Sequence, residues 1–164
     1  MSFSGKSEAV RLRLSRPFSF WVYQWRRLPL AAFAGMRLRS LDESACTVSL
    51  PGGWRTQNPF RSTYFAAQAM AAEMSTGAPA MVLVAGAPAS VALLVTAFRA
   101  TYRKKIVGDS LFRFADVAAM RATVEKATGQ DEPLVFAARS EGRDESGELC
   151  SEFEVTWSFK RRTR

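Results

Sequence analysis

The chain has 164 residues, close to the ordinary size of one domain, and 48% of them are apolar, too many for a disordered chain. It carries 23 Lys and Arg against 15 Asp and Glu, a net charge of +8, and no histidine at all. Without histidine a Ser-His nucleophile pair and most zinc sites are excluded, and no metal or separate cofactor is expected.

Two cysteines, Cys46 and Cys150, are too few for a disulfide framework and fit a reducing, cytoplasmic setting. A bilayer-spanning helix needs ~20 apolar residues in a row. The stretch from Phe65 to Val95 is broken by Gln68, Glu73, Gly77, Pro79, Gly86 and Pro88, so no span is expected. A cleavable leader is not expected either, because Arg26 and Arg27 interrupt the aromatic segment that follows the first arginines. No phosphate-binding GxxxxGK or GxGxxG occurs.

Residues 1–16 read as a flexible basic tail on a single domain covering 1–164. From Pro17, a good first helical residue, Phe18, Trp21, Val22, Trp25, Leu28, Ala32, Phe33 and Met36 recur at three- and four-residue steps. That spacing predicts an amphipathic helix, split or kinked by Pro29 and stopped near Gly35. Residues 36–41 and 45–50 read as strands joined at Asp42-Glu43-Ser44, with Cys46, Val48 and Leu50 on one face. Trp54 to Phe60 reads as loop. Ser62 or Thr63 is a candidate cap for a helix from Tyr64 to about Thr76, nearly uncharged and so expected to be buried. Gly77 and Pro79 are expected to disturb it, leaving 80–85 as a continuation or a second helix.

Val91 to Tyr102 predicts a long strand. A turn at Gly108-Asp109, a strand 110–115, a helix 117–128 and a strand 134–139 follow. After a turn at 144–147, Leu149, Phe153, Val155, Trp157 and Phe159 alternate along a last strand. Ser151 is the polar exception on that face, and the opposite face, carrying Cys150 and Glu152, reads as solvated. This order suits an α+β domain with its sheet wrapped on one apolar helix.

These elements, with W25..LP.A...G35, the LPGGWRTQN run at 50–58, FRSTYFAAQAMAAEMSTG at 60–77 and VALLVTAFRATYRKKIVGD at 91–109, resemble the hotdog-fold thioesterase superfamily. Within it they are most similar to the bacterial branch called domain of unknown function 4442. The likeness runs over roughly 18–162. It implies a curved antiparallel sheet around a long central helix, with an extra N-terminal helix, and a homodimer or dimer of dimers whose sheets join side by side. It also implies hydrolysis of an acyl-coenzyme A thioester, the coenzyme being part of the substrate. In catalytic relatives an Asn or Asp precedes the central helix and an acid lies within it, and Asn58 and Glu73 match those places. Helix-start amides polarise the thioester carbonyl, here those of about Tyr64 and Phe65. Where active relatives often carry His-Gly-Gly, this chain has Tyr64-Phe65-Ala66.

Glu73, set between Met70, Ala72 and Met74, needs a partner or suffers a raised pKa, which suits a base that activates water. A purely structural Glu73, reaching solvent or paired with an arginine across a dimer, fits the same pattern. Asn58 before Pro59 would orient the water or simply hold a turn. Tyr64, Phe65, Gln68 and Trp54 are candidate substrate contacts, equally explicable by packing. Arg61, with Arg55, Arg99 and Arg103, is a candidate for coenzyme A phosphates. Two functions remain open: an acyl-coenzyme A hydrolase, or a non-catalytic acyl-binding or structural protein on the same scaffold. The arginines of residues 11–39 suggest weak attraction to anionic surfaces, without the pattern of a specific nucleic-acid module.

Overall fold

The computed structural model describes residue 3 and residues 5–162, so Met1, Ser2 and Ser4 of the tail expected over 1–16 lie outside the described residues. The rest of that tail is a helix, α1 (Lys6–Ser15). Its Leu14 is buried and its Ser7 hydroxyl donates to the Val82 carbonyl at 3.0 Å. A β-carbon at Gly86 would lie 1.8 Å from that hydroxyl, so the approach depends on the glycine. Basic composition hid this helix because only its inner face packs.

The aromatic segment is divided at Leu28-Pro29 into α2 (Pro17–Arg27) and α3 (Pro29–Ala34). Proline opens both helices, where its missing N–H costs nothing. Gly35, at φ 77°, closes α3 in the left-handed conformation. Strands β1 (Arg37–Leu41) and β2 (Cys46–Leu50) follow with the expected turn, closed by the Asp42 carboxylate accepting from the Ser44 and Ala45 amides.

The central helix α4 (Phe65–Ala85) runs unbroken for 21 residues. Gly77 and Pro79 do not interrupt it. Pro79 cannot donate to the Ser75 carbonyl, but packing on all sides of this stretch outweighs one lost bond. Small residues on α4 let the sheet approach closely. The ring of buried Trp157 lies against Gly77, and its indole N–H donates to the Thr76 hydroxyl at 3.0 Å. The Ser75 and Ser140 hydroxyls bond at 2.8 Å.

The remaining elements are β3 (Val91–Tyr102), β4 (Ser110–Phe114), α5 (Val117–Ala127), β5 (Leu134–Asp144) and β6 (Leu149–Arg161). All strands form one six-stranded antiparallel sheet in the order β1-β2-β4-β5-β6-β3. Its core packs Phe112, Phe114, Phe153, Val155 and Phe159 toward α4. β5 outruns its expected end because its inward positions continue as Ala138, Ser140 and Gly142, small or polar residues that read as turn. At Gly142 a β-carbon would meet the Phe112 ring at 2.7 Å.

Cys150 is buried, not solvated. The pairing of β5 with β6 shifts at Gly142/Arg143, which takes Cys150 out of the alternation. There its thiol contacts the Asp144 carboxylate, while its carbonyl accepts from the Arg103 and Lys104 amides. Both cysteines are free. Among the described residues no helix is long and apolar enough to cross a membrane, and no His, Cys, Asp or Glu cluster suits a metal ion.

Candidate functional site

A groove of about 560 Å³ runs between α4 and the edge strand β3. Phe65, Ala66, Ala69, Met70 and Glu73 form one wall, and Phe98, Ala100 and Tyr102 the other. The helical residues share a face at three- and four-residue spacing, and the strand residues alternate. A bulge between Val95 and Ala97 sets that alternation, turning Phe98 rather than Ala97 toward Phe153.

Glu73 and Tyr102 are the ionisable side chains lining this groove, and burial raises the pKa of both above the usual value. The Glu73 carboxylate has no ion pair or hydrogen bond among the described residues. It lies back over Gly77, where a β-carbon would stand 2.9 Å from its Oε1. Any larger residue at 77 would displace both this carboxylate and Trp157.

The helix start is shaped by the loop before it. The Asn58 side chain accepts from the Phe60 amide at 2.9 Å and the Ser62 amide at 3.2 Å, and donates to the Ser62 hydroxyl at 3.0 Å. Arg61 takes φ 58°, an uncommon conformation for a non-glycine residue, inside this turn. Neither Ser62 nor Thr63 caps α4: Ser62 serves Asn58, and the Thr63 amide donates to Ile106. Tyr64 is the N-cap residue, without any side-chain cap. Its amide donates to the Thr56 carbonyl at 2.7 Å, so it is not open to a ligand. The open amides belong instead to Phe65 and Ala66, one residue later than the sequence suggests, and both residues line the groove. The positive end of the helix dipole lies with them.

The other candidates scatter. Gln68 is buried, its amide donating to the Thr63 carbonyl at 3.2 Å while its Oε1 lacks a partner. Trp54 is exposed and stands edge-on to Phe33. Tyr64 is half-exposed against Phe65. Arg61 lies with Gly53, Gln57 and Gly108 in a separate shallow depression. Arg103 pairs with Glu152, whereas the Arg55 guanidinium lies over Gly35. The structure therefore gathers Phe65 and Glu73 with Phe98 and Tyr102, which sequence reasoning missed. Their signal was the alternate spacing at the end of the long strand, masked by the bulge at residue 96. Asn58, Gln68, Trp54 and Arg61 stand outside the groove.

An antiparallel sheet packed around one long helix, with a groove at its free edge, defines a hotdog-type fold. Residues 18–159 match the family described as a domain of unknown function, DUF4442, and the chain belongs to it. Solved structures repeat the fold. A Pseudomonas aeruginosa protein of unknown function described as a probable thioesterase aligns with TM-score 0.74 and 17% identity, over 92% of this chain and 99% of its own. A Chlorobaculum tepidum protein of unknown function gives 0.75 and 12% over the same shares, 92% and 99%. A Haemophilus influenzae thioesterase gives 0.63 and 14%, over 85% and 88%. No curated protein matches the chain in sequence.

Proposed function

We propose that the chain is a thioester hydrolase acting on acyl-coenzyme A as a homodimer. The observation that carries this reading is Glu73, a carboxylate in an apolar groove without a partner among the described residues, its pKa raised by burial. Burial makes such a group a stronger proton acceptor than an exposed glutamate, which suits a general base. The solved structures described as thioesterases support the reading by fold.

Glu73 lies eight residues from Phe65 and seven from Ala66 on one helix, about 10–12 Å along its axis. A single copy cannot direct both at one carbonyl. Two copies whose β3 edges pair antiparallel would bring the Glu73 of one helix toward the start of the other. The edge is long, and Leu94, Phe98 and Tyr102 remain exposed along it. In that arrangement water gives a proton to Glu73 as its oxygen bonds to the thioester carbon. The oxyanion rests on the Phe65 and Ala66 amides, and the C–S bond then breaks. The proton passes from Glu73 to the departing thiolate, leaving a carboxylic acid and free coenzyme A. Phe65 and Tyr64 hold the acyl end, and Arg61 and Trp54 flank the coenzyme. Gln68 braces the helix start. Asn58 acts by fixing the turn that presents α4 and orients water only if that turn opens.

Turnover of short-, medium- and long-chain acyl-coenzyme A by the wild type, with loss in E73A, is the expected result. The exposed rings of Tyr64 and Phe65 at the helix start favour one other reading, an acyl-binding protein without turnover. Saturable acyl-coenzyme A binding with no hydrolysis at any chain length would establish it instead. Light scattering should give at least a dimer at tens of micromolar. Phe98→Asp, which places a charge on the free edge, should shift it toward monomer and remove activity with it. A wild-type monomer that still hydrolyses substrate would refute the shared site.

A further inference from the structure

We propose that the outer face of α2 and α3 is a docking surface for an anionic lipid bilayer. α2 packs one side on the domain and leaves aromatic rings on the other. Phe20 and Gln24 are buried against the domain, while Phe18, Trp21 and Trp25 point away from it, 76%, 55% and 48% exposed. The exposed rings sit at i, i+3 and i+7 and touch one another, with centroids 6.2 and 6.4 Å apart. α3 adds exposed Leu30 and Phe33, and Phe33 meets the exposed ring of Trp54. A soluble protein rarely leaves so many large apolar side chains together without a partner.

The charge around this face selects the partner. Arg13, Arg26 and Arg27 line one depression with Phe18, and Arg16 is the N-cap residue of the same helix α2. Residues 9–41 contain no Asp or Glu, and none of these four arginines has a carboxylate partner among the described residues. A second copy on the same face would meet the same patch across a two-fold axis, setting arginine against arginine. Nucleic acid would answer the charge but leave Leu28 and Leu30 facing a polar backbone. A bilayer answers both: aromatic and leucine side chains enter the headgroup boundary, and the arginines meet anionic headgroups.

The test is co-sedimentation of the full chain with phosphatidylcholine vesicles, with and without phosphatidylglycerol, at low and physiological salt. Binding should need phosphatidylglycerol and weaken with salt, and brominated acyl chains should quench tryptophan emission. F18S/W21S/W25S and R13Q/R16Q/R26Q/R27Q should each lower the affinity about tenfold or more. Phe18→Glu repeats the test at the most exposed ring, with buried contacts intact. No binding to mixed vesicles overturns the proposal, as does full binding by the aromatic variants. If those variants instead lose an oligomeric state while vesicle binding is unchanged, the occupant is a second copy. If a single-stranded oligonucleotide displaces the vesicles and its own binding needs the same rings, the occupant is nucleic acid.

Discussion

Replacing Glu73 by Gln should lower acyl-coenzyme A turnover about 100- to 10,000-fold, the usual cost of losing a general base. Glutamine keeps the shape and can still hydrogen-bond water, so binding of substrate should change little. In the wild type the rate should rise with pH through the Glu73 pKa, which burial holds above that of a free glutamate. E73Q should lose that limb of the profile. Stability should move the other way. A carboxyl whose pKa is raised by folding contributes stability below its unfolded pKa and loses it as pH rises through the folded value. E73Q should therefore be more resistant to urea than the wild type at neutral pH, with the difference vanishing in acid. Equal turnover of E73Q and wild type would remove Glu73 as the base. Equal urea midpoints at neutral pH would show that its carboxylate is solvated.

The largest loss of stability should come from Trp157→Ala, about 3–5 kcal/mol, because a fully packed indole leaves a cavity that the sheet and α4 cannot close. Trp157 also spans two levels of the structure. Its N–H holds Thr76 and its ring backs Gly77, the turn of α4 over which the Glu73 carboxylate lies. Trp157→Phe keeps most of the ring volume but drops the bond to Thr76. It should cost only about 1–2 kcal/mol, since the Thr76 hydroxyl loses the bond it accepts but still donates to the Glu73 carbonyl. Urea unfolding at matched protein concentration measures both, since a dimer's midpoint depends on concentration. A loss under 1 kcal/mol for Trp157→Ala would mean that the core repacks freely around this position.

How far the sequence reached can be judged at particular residues. A continuous apolar, β-branched run placed β3, and the alternation of Phe153, Val155, Trp157 and Phe159 placed β6. Pro17, Pro29 and Gly35 marked the ends of α2 and α3 through backbone chemistry alone. Local signals misled where tertiary packing overrode them. Pro79 lies within a continuous helix, Ser140 and Gly142 extend a buried strand, and α1 forms from a segment that looked like tail. At the groove, Glu73 and Phe65 were legible as features of one helix. Phe98 and Tyr102 were not, because their facing depends on a bulge at Thr96 that no residue type announces. Asn58 shows the opposite case: its side chain is occupied by the turn that its own position creates.

The place of β3 in the sheet has a consequence for synthesis. Among the described residues its one neighbour in the sheet is β6, with Val91 opposite Arg161 and Tyr102 opposite Ser151. A ribosome completes β3 well before residues 149–161 exist, so this apolar strand emerges without its partner and waits for it. The two strands beyond β5 in the sheet, β6 and β3, cannot join it vectorially; that part closes only after β6 has been released from the exit tunnel. During that interval the exposed segment invites pairing with other nascent chains, which makes Val91–Tyr102 the stretch most in need of a chaperone.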